Sequence, residues 1–214
     1  GNITLKDMSA SWNAQYGADL NTCYSTGAAC EWLGTGKVTI TNGVFNDNTN
    51  TTTTSAFGLR VQARGAIALS NVTANRNGHE TGPEQQAWGA YLDTSLSQLV
   101  SPVTVTNGEF SRNYTFDASL MVRAKGVITL NKMYVFNNWN DNWGAAGAAS
   151  GAILDNTFGT NAGVVIKGTS AWDNTFFLNQ VHGLEINSHG PVSIQYLKIR
   201  ESVDDSGLVI DNST

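Results

Sequence analysis

The stretch GKVTITNGVFNDN, residues 36–48, recurs in closely similar form as SPVTVTNGEFSRN, residues 101–113. In both copies apolar residues alternate with polar ones, and both copies end on an asparagine. A period of two is typical of strands with one buried face. Because the copies start 65 residues apart, the pattern indicates a repeat protein rather than a hairpin.

The same pattern occurs seven times, and each copy contains three alternating segments. The first two supply apolar pairs such as Val38/Ile40 and Met133/Val135, and the third is of the type GLRVQA at residues 58–63. One copy therefore predicts three short strands, and no helical period of ten or more residues appears. The copies begin at Gly1, Gly36, Gly65, Ser101, Gly126, Ala162 and Gly190.

An asparagine follows the second apolar pair, before the third segment, in nearly every copy. Asparagine tolerates the left-handed turn conformation, and stacked asparagines can hydrogen-bond to one another. The pattern therefore predicts an asparagine ladder, with Ser202 replacing asparagine in the seventh copy. Its predicted members are Asn13, Asn48, Asn77, Asn113, Asn138 and Asn174.

Short parallel strands whose neighbours lie one turn of chain away form a parallel β-helix. On these repeats the chain resembles the right-handed parallel β-helices of the pectin-lyase-like superfamily, and the handedness is what that resemblance implies. We expect an all-β solenoid of about seven coils, with three short strands per coil, forming one domain over residues 1–214.

The copies start 35, 29, 36, 25, 36 and 28 residues apart, so that long and short coils alternate. The alternation predicts two-coil units at 1–64, 65–125 and 126–189, and a partial unit at 190–214. The longer corner loops hold CYSTGAACEW, SLSQLV and FGT, and we expect them along one edge of the rod.

The composition excludes some classes of protein. Charged residues make up only 14% of the chain, the net charge is −5, and the 12 Lys and Arg are scattered, which argues against a nucleic-acid partner. No apolar run approaches the roughly 20 residues needed to span a bilayer, so no membrane insertion is expected. Phosphate loops, nucleophile motifs and calcium-binding nonapeptides do not occur, and the sequence predicts no cofactor.

Cys23 and Cys30 are the two cysteines, seven residues apart. A metal site would need further ligands nearby, and none is present in this stretch, so no metal is expected. We expect a local disulfide that closes a loop; two free thiols are the alternative. A disulfide would place the chain outside the cell or on its surface.

The outward positions of the GLRVQA-type strands form a polar row. On adjacent coils Asp93, Arg123 and Asp155 would be about 4.8 Å apart. One interpretation is a lyase-like or hydrolase-like catalytic centre, and the other is an ion-pair ladder on a solvated face. The whole row comprises Asn21, Gln62, Asp93, Arg123, Asp155, Asn187 and Asp211.

Aromatic residues offer a second candidate site. Trp139 and Trp143 lie in an insertion and, together with Tyr91, are candidates for stacking on sugar rings. The alternative is that the inserted loop folds back over the coil and covers it with its tryptophan side chains.

The first residues, GNITLKD, already begin a coil, and the last, GLVIDNST, complete one. We therefore expect either a piece of a longer repetitive chain or end-to-end self-association. The leading hypothesis is an extracellular structural or adhesive module of a cell-surface fibre, sheath or filament. The alternatives are a polysaccharide-active enzyme, lyase or glycoside hydrolase, and a non-catalytic carbohydrate-binding β-helix.

Overall fold

The computed structural model describes residues 1–22, 35–49, 55–78, 86–115, 117–139, 149–170, 173–202 and 205–213. These parts of the chain form strands and turns, with no helix. The strands are β1 (Ile3–Ser9), β2 (Tyr16–Asn21), β3 (Val38–Val44), β4 (Ser55–Gln62), β5 (Ile67–Thr73), β6 (Gln86–Asp93), β7 (Val103–Ser111), β8 (Ala118–Arg123), β9 (Ile128–Phe136), β10 (Ser150–Asp155), β11 (Val164–Lys167), β12 (Asn174–Phe177), β13 (Leu184–Asn187), β14 (Val192–Ile194), β15 (Leu197–Arg200) and β16 (Leu208–Asp211).

The strands build two sheets in which every neighbouring pair is parallel. The first sheet has the order β1-β3-β5-β7-β9-β11-β14, with β12 paired to both β9 and β15. The second has the order β16-β13-β10-β8-β6-β4-β2. Each strand therefore pairs with its equivalent in the neighbouring repeat, which confirms an all-β architecture that fits a β-helix or solenoid.

The register stacks like residues on like. In the first sheet Val38 pairs with Ile67, Ile67 with Val103, and Val103 with Ile128, and all four are buried. The second sheet stacks Leu59, Ala90, Leu120, Ala152 and Leu184 in the same way. Burial of these aliphatic columns from both sheets forms one continuous core, the dominant favourable contribution to folding.

One feature differs from the predicted three short strands per copy. In β1, β3, β5, β7 and β9 a single strand runs through positions predicted as two segments. A residue with positive φ, such as Asn42 (55°) or Asn71 (54°), bends the strand without ending it. The first two segments are separate strands in the later repeats, as β11 and β12 and as β14 and β15.

Candidate functional site

The polar row on the second sheet has the predicted register. Asp93 in β6 pairs with Arg123 in β8, and Arg123 pairs with Asp155 in β10. All three side chains therefore lie on the outward face of adjacent strands. Whether they form a reactive centre depends on their contacts.

Asp93 caps the turn that follows its own strand. Its Oδ1 accepts hydrogen bonds from the backbone N–H of Ser95 at 2.7 Å and from Ser95 Oγ at 2.6 Å. Its Oδ2 accepts one from the Tyr91 hydroxyl at 3.0 Å, and only 4% of the residue is exposed. Local bonds thus engage both oxygens of this carboxylate.

Asp155 and Asp211 have the same role at the ends of β10 and β16. Asp155 Oδ1 accepts from the backbone and hydroxyl of Thr157, at 3.1 and 2.7 Å. Asp211 Oδ1 accepts from the backbone and hydroxyl of Ser213, at 3.0 and 2.7 Å. An aspartate followed two residues later by serine or threonine is therefore a repeated turn motif in this chain.

Arg123 stacks on an aromatic ring. Its guanidinium carbon lies 4.6 Å from the ring centroid of Phe158, and Nη1 donates to the Tyr91 hydroxyl at 3.4 Å. Among the described residues no carboxylate oxygen lies within 4.0 Å of it, so Arg123 makes no close ion pair with Asp93 or Asp155, as the ion-pair-ladder interpretation of this row would require. Within the described strands, an ion pair on this face joins Arg60 to Asp19, at 3.5 Å.

Tyr91 is a titratable group whose pKa this arrangement shifts. Burial raises the pKa of the Tyr91 hydroxyl, and the negative charge of Asp93 raises it further. The hydroxyl therefore stays protonated and available as the donor to Asp93.

The closing asparagines form a buried chain of hydrogen bonds. The Oδ1 of Asn77 accepts from both the backbone N–H and Nδ2 of Asn48, at 3.0 and 2.9 Å. Asn77 in turn donates twice to Asn113 Oδ1, and Asn13 donates twice to Asn48 Oδ1. Asn48, Asn77, Asn113 and Asn138 are fully buried, so these bonds satisfy amides that no water reaches.

Asn174 is not the sixth member of this ladder; Asn179 is. Asn138 Nδ2 donates to Asn179 Oδ1 at 2.8 Å, whereas Asn174 Oδ1 accepts from the backbone of Met133. Asn174 pairs with Met133, which comes seven residues after Gly126, yet Asn174 comes twelve residues after Ala162. This copy therefore carries five additional residues before β12, and counting from the start of the copy selects the wrong asparagine.

A second, exposed ladder was missed from the sequence. Asn107 donates to Asn71 at 2.7 Å, Asn71 to Asn42 at 2.9 Å, and Asn42 to the carboxylate of Asp7 at 2.6 Å. All four residues have a positive φ. The available signal was position, since each lies six residues after the start of its copy.

The aromatic candidates lie in different surroundings. Tyr91 packs on Trp88, with centroids 5.3 Å apart, and Trp88 stacks on Phe57 at 4.7 Å. Trp139 instead follows β9 and lines a pocket that includes Arg76 and Arg112. Trp143, Cys23 and Cys30 lie outside the described residues, so the disulfide stays a prediction.

Across the described parts of the chain, no three His, Cys, Asp or Glu side chains come close enough to hold a metal ion. Within the same residues, no helix has the length and apolar character needed to cross a membrane. No protein-family model matches the chain, and no curated protein or solved structure matches it either.

Proposed function

We propose that this chain is a structural or adhesive module of an extracellular fibre, sheath or filament. The observation that carries the proposal is the column of fully buried, mutually hydrogen-bonded asparagines between the two sheets. Such a column links successive repeats along one axis and leaves the loops and the outer faces free to vary. Repeat proteins use this division between a constant core and variable edges to present extended surfaces.

The proposal includes a right-handed parallel β-helix of about seven coils, arranged as two-coil units and related to the pectin-lyase-like superfamily. The parallel pairing of equivalent strands and the alternating spacing of the copies support it. An extracellular or cell-surface location is part of the same proposal, and its support is the predicted disulfide between Cys23 and Cys30.

Self-association end to end, or continuation in a longer chain, completes the proposal. Ile3 and Leu5 in β1 are only partly buried, and Leu208 and Ile210 in β16 are 40% and 44% exposed. Their equivalents in the intervening strands, such as Val38 and Leu184, are buried. A further coil at either end would bury these side chains and pair the outer strand edges.

Electron microscopy and solution scattering test the proposal on the chain as it stands. We expect rods that lengthen with concentration and resist heat and protease. A compact monomer at high concentration would contradict self-association, and loss of structure under mild proteolysis would contradict a structural role. Replacing Leu208 with lysine should shorten the rods because it places a charge in the apolar contact.

A polysaccharide-active enzyme is the second candidate, favoured by the register that places Asp93, Arg123 and Asp155 on adjacent strands. Their engagement in turns and ring stacking weighs against it. The test is a screen on acidic polysaccharides with Arg123→Ala as the control. Absence of cleavage, or cleavage unchanged in the variant, would remove this candidate.

A further inference from the structure

A pocket of about 320 Å³ opens at the corner that follows the strands of the first sheet. Its volume is within the range of small-molecule sites. Its lining is unusual for this charge-poor chain, because two arginines, a tyrosine and a tryptophan meet there. Among the described residues, the lining consists of Arg76, Arg112, Asn113, Tyr114, Asn137 and Trp139.

The two arginines are not equivalent. Arg76 makes a bidentate ion pair with Asp47, with Nε–Oδ1 at 2.6 Å and Nη2–Oδ2 at 2.7 Å. This pairing raises the pKa of Arg76 and leaves the pair with no net charge to offer a ligand. Arg76 is therefore a fixed wall of the pocket.

Arg112 is the arginine of this lining that has no ion pair among the described residues. Its guanidinium carbon is 5.6 Å from the ring centroid of Phe136, and the residue is exposed. In the part of the chain that the structure describes, no carboxylate lies within 4.0 Å of it. The planar guanidinium presents paired N–H donors, whose geometry matches a carboxylate or a sulfate.

Tyr114 and Trp139 supply two partly buried rings on neighbouring repeats. They are joined by a parallel β-bridge, and the backbone N–H of Trp139 donates to the Asn113 carbonyl at 3.2 Å. The indole Nε1 of Trp139 donates to Asn137 Oδ1, which fixes the orientation of the ring. Aromatic faces held in this way suit the apolar C–H faces of a sugar ring.

The pocket is attached to the rigid part of the molecule. Asn113 belongs to the buried ladder, and Asn137 directly precedes the ladder residue Asn138. Since the ladder fixes the backbone under the pocket, a ligand would meet a preformed site and lose little affinity to ordering of the protein.

We propose that this pocket binds a saccharide bearing a carboxylate or sulfate, with the anion on Arg112 and the sugar ring against Trp139 and Tyr114. A purely apolar ligand would leave the Arg112 charge unused. A nucleic acid would require several free cations along its backbone, whereas the described lining offers one. The inference rests on the carbohydrate-binding hypothesis and is independent of the proposed structural role.

Isothermal titration of the whole chain at low ionic strength tests the proposal. The probes are a glucuronate-containing tetrasaccharide, a sulfated galactan tetrasaccharide, inorganic sulfate and the neutral cellotetraose. We expect binding of at least one charged tetrasaccharide, little or no binding of cellotetraose and of sulfate alone, and weakening by added salt. The charged probe that binds more tightly distinguishes carboxylate from sulfate.

Two variants test the assigned residues. Arg112→Gln removes the charged donor fork, and we expect affinity for the charged probe to fall roughly 10- to 100-fold. Trp139→Ala removes the larger ring, and we expect a loss of roughly tenfold. If Trp139→Ala lowers the melting temperature, Trp139→Phe keeps an aromatic ring there and should retain most of the binding.

The matched controls are Arg200→Gln and Trp12→Ala. Arg200 is an exposed arginine that also lies over a phenylalanine ring but lines no part of this pocket, and Trp12 is 81% exposed. Neither should change the affinity. The proposal is overturned if no charged saccharide binds, if cellotetraose binds equally well, or if Arg112→Gln has no larger effect than Arg200→Gln. None of these outcomes bears on rod formation.

Discussion

Gly89 lies directly against the side chain of Asn113, so closely that a methyl group on Gly89 would be 2.5 Å from Asn113 Nδ2. The same relationship joins Gly58 to Asn77, at 2.5 Å, and Gly17 to Asn48, at 2.7 Å. The glycine that opens the GLRVQA-type strand therefore leaves room for the buried asparagine of the next repeat. The glycine that opens this strand and the ladder asparagine of the next repeat, which the sequence shows as separate patterns, therefore pack together as one unit.

Ser119 shows what a side chain does at this glycine position. Asn113 Nδ2 donates to Ser119 Oγ at 2.6 Å, and only the backbone N–H of Asn113 reaches Asn138 Oδ1. The other links from Asn13 to Asn113 use both donors. A serine hydroxyl at this position thus takes one hydrogen bond away from the ladder but accepts that bond itself. The methyl group of an alanine could not accept a hydrogen bond.

Gly89→Ala should destabilise the fold by about 1–3 kcal/mol, because the new methyl group must displace Asn113 or the backbone. Urea denaturation of the variant and the parent measures the difference. Gly207→Ala is the matched control, since its nearest contact is the Ile199 side chain at 3.0 Å, and we expect a change within about 0.5 kcal/mol. Equal stability of Gly89→Ala and the parent would contradict the packing unit.

Asn77→Ala should cost about 2–4 kcal/mol, because it leaves the buried donors of Asn48 without an acceptor and removes the Nδ2 bonds to Asn113 and to the Phe45 carbonyl. Asn71→Gly removes a side chain with the same chemistry from the exposed ladder, where water replaces the lost partners and glycine accepts the positive φ of 54°. We expect that change to cost less than about 1 kcal/mol. Similar losses of unfolding free energy for both variants would show that burial of the ladder adds nothing to stability.

Ser202→Asn should stabilise the protein by about 0.5–1.5 kcal/mol. Ser202 follows Asn179 in the stack, since Leu178 N–H donates to the Arg200 carbonyl, and its Oγ is buried without a partner among the described residues. An asparagine there would provide an acceptor for Asn179 and extend the ladder by one repeat. The midpoint of urea unfolding reports the gain. Ser202→Ala serves as the control, and a gain as large in that variant would assign the effect to removal of the hydroxyl.

Tyr91 should make stability depend on pH in the alkaline range. Its pKa is raised in the folded state, above the ordinary value of about 10, mainly by burial and then by Asp93. The protonated hydroxyl therefore contributes its full stability below pH 10, and the contribution is lost as pH rises toward the folded pKa. Tyr91→Phe should flatten this part of the pH–stability curve relative to the parent. Superimposable curves for the two proteins above pH 10 would contradict the assignment.

The periodicity predicted most of the architecture correctly. Alternation along residues 38–44 and 103–111 identifies the buried face, and the spacing of the copies identifies parallel partners one repeat away. These properties depend on which side of a strand a residue faces, and a period of two encodes that directly. The ladder from Asn13 to Asn138 was predictable for the same reason.

Prediction from the sequence was wrong in two situations. In one, an insertion changes the number of residues in a copy; in the other, a side chain bonds to a neighbour within its own turn. Asn174 lies at the expected distance from the start of its copy, but five additional residues precede β12. Asn179 therefore occupies the ladder position. Asp93 and Arg123 have the predicted register, yet Asp93 bonds to Ser95 and Arg123 covers Phe158. A carboxylate bonds to the donor that its backbone holds nearest, and strand register does not specify that distance.

The sequence by itself determined the repeat, the buried face of the strands, their parallel pairing and the ladder from Asn13 to Asn138, because period and spacing fix face and neighbour. Only the tertiary structure decided which polar atoms meet, including the close packing of Gly89 on Asn113 and the convergence of Arg112 and Trp139 in one pocket. These contacts depend on turns and insertions that move a side chain by a few ångströms. Hydrogen bonds and ion pairs weaken over such distances, whereas the burial of an aliphatic column tolerates them.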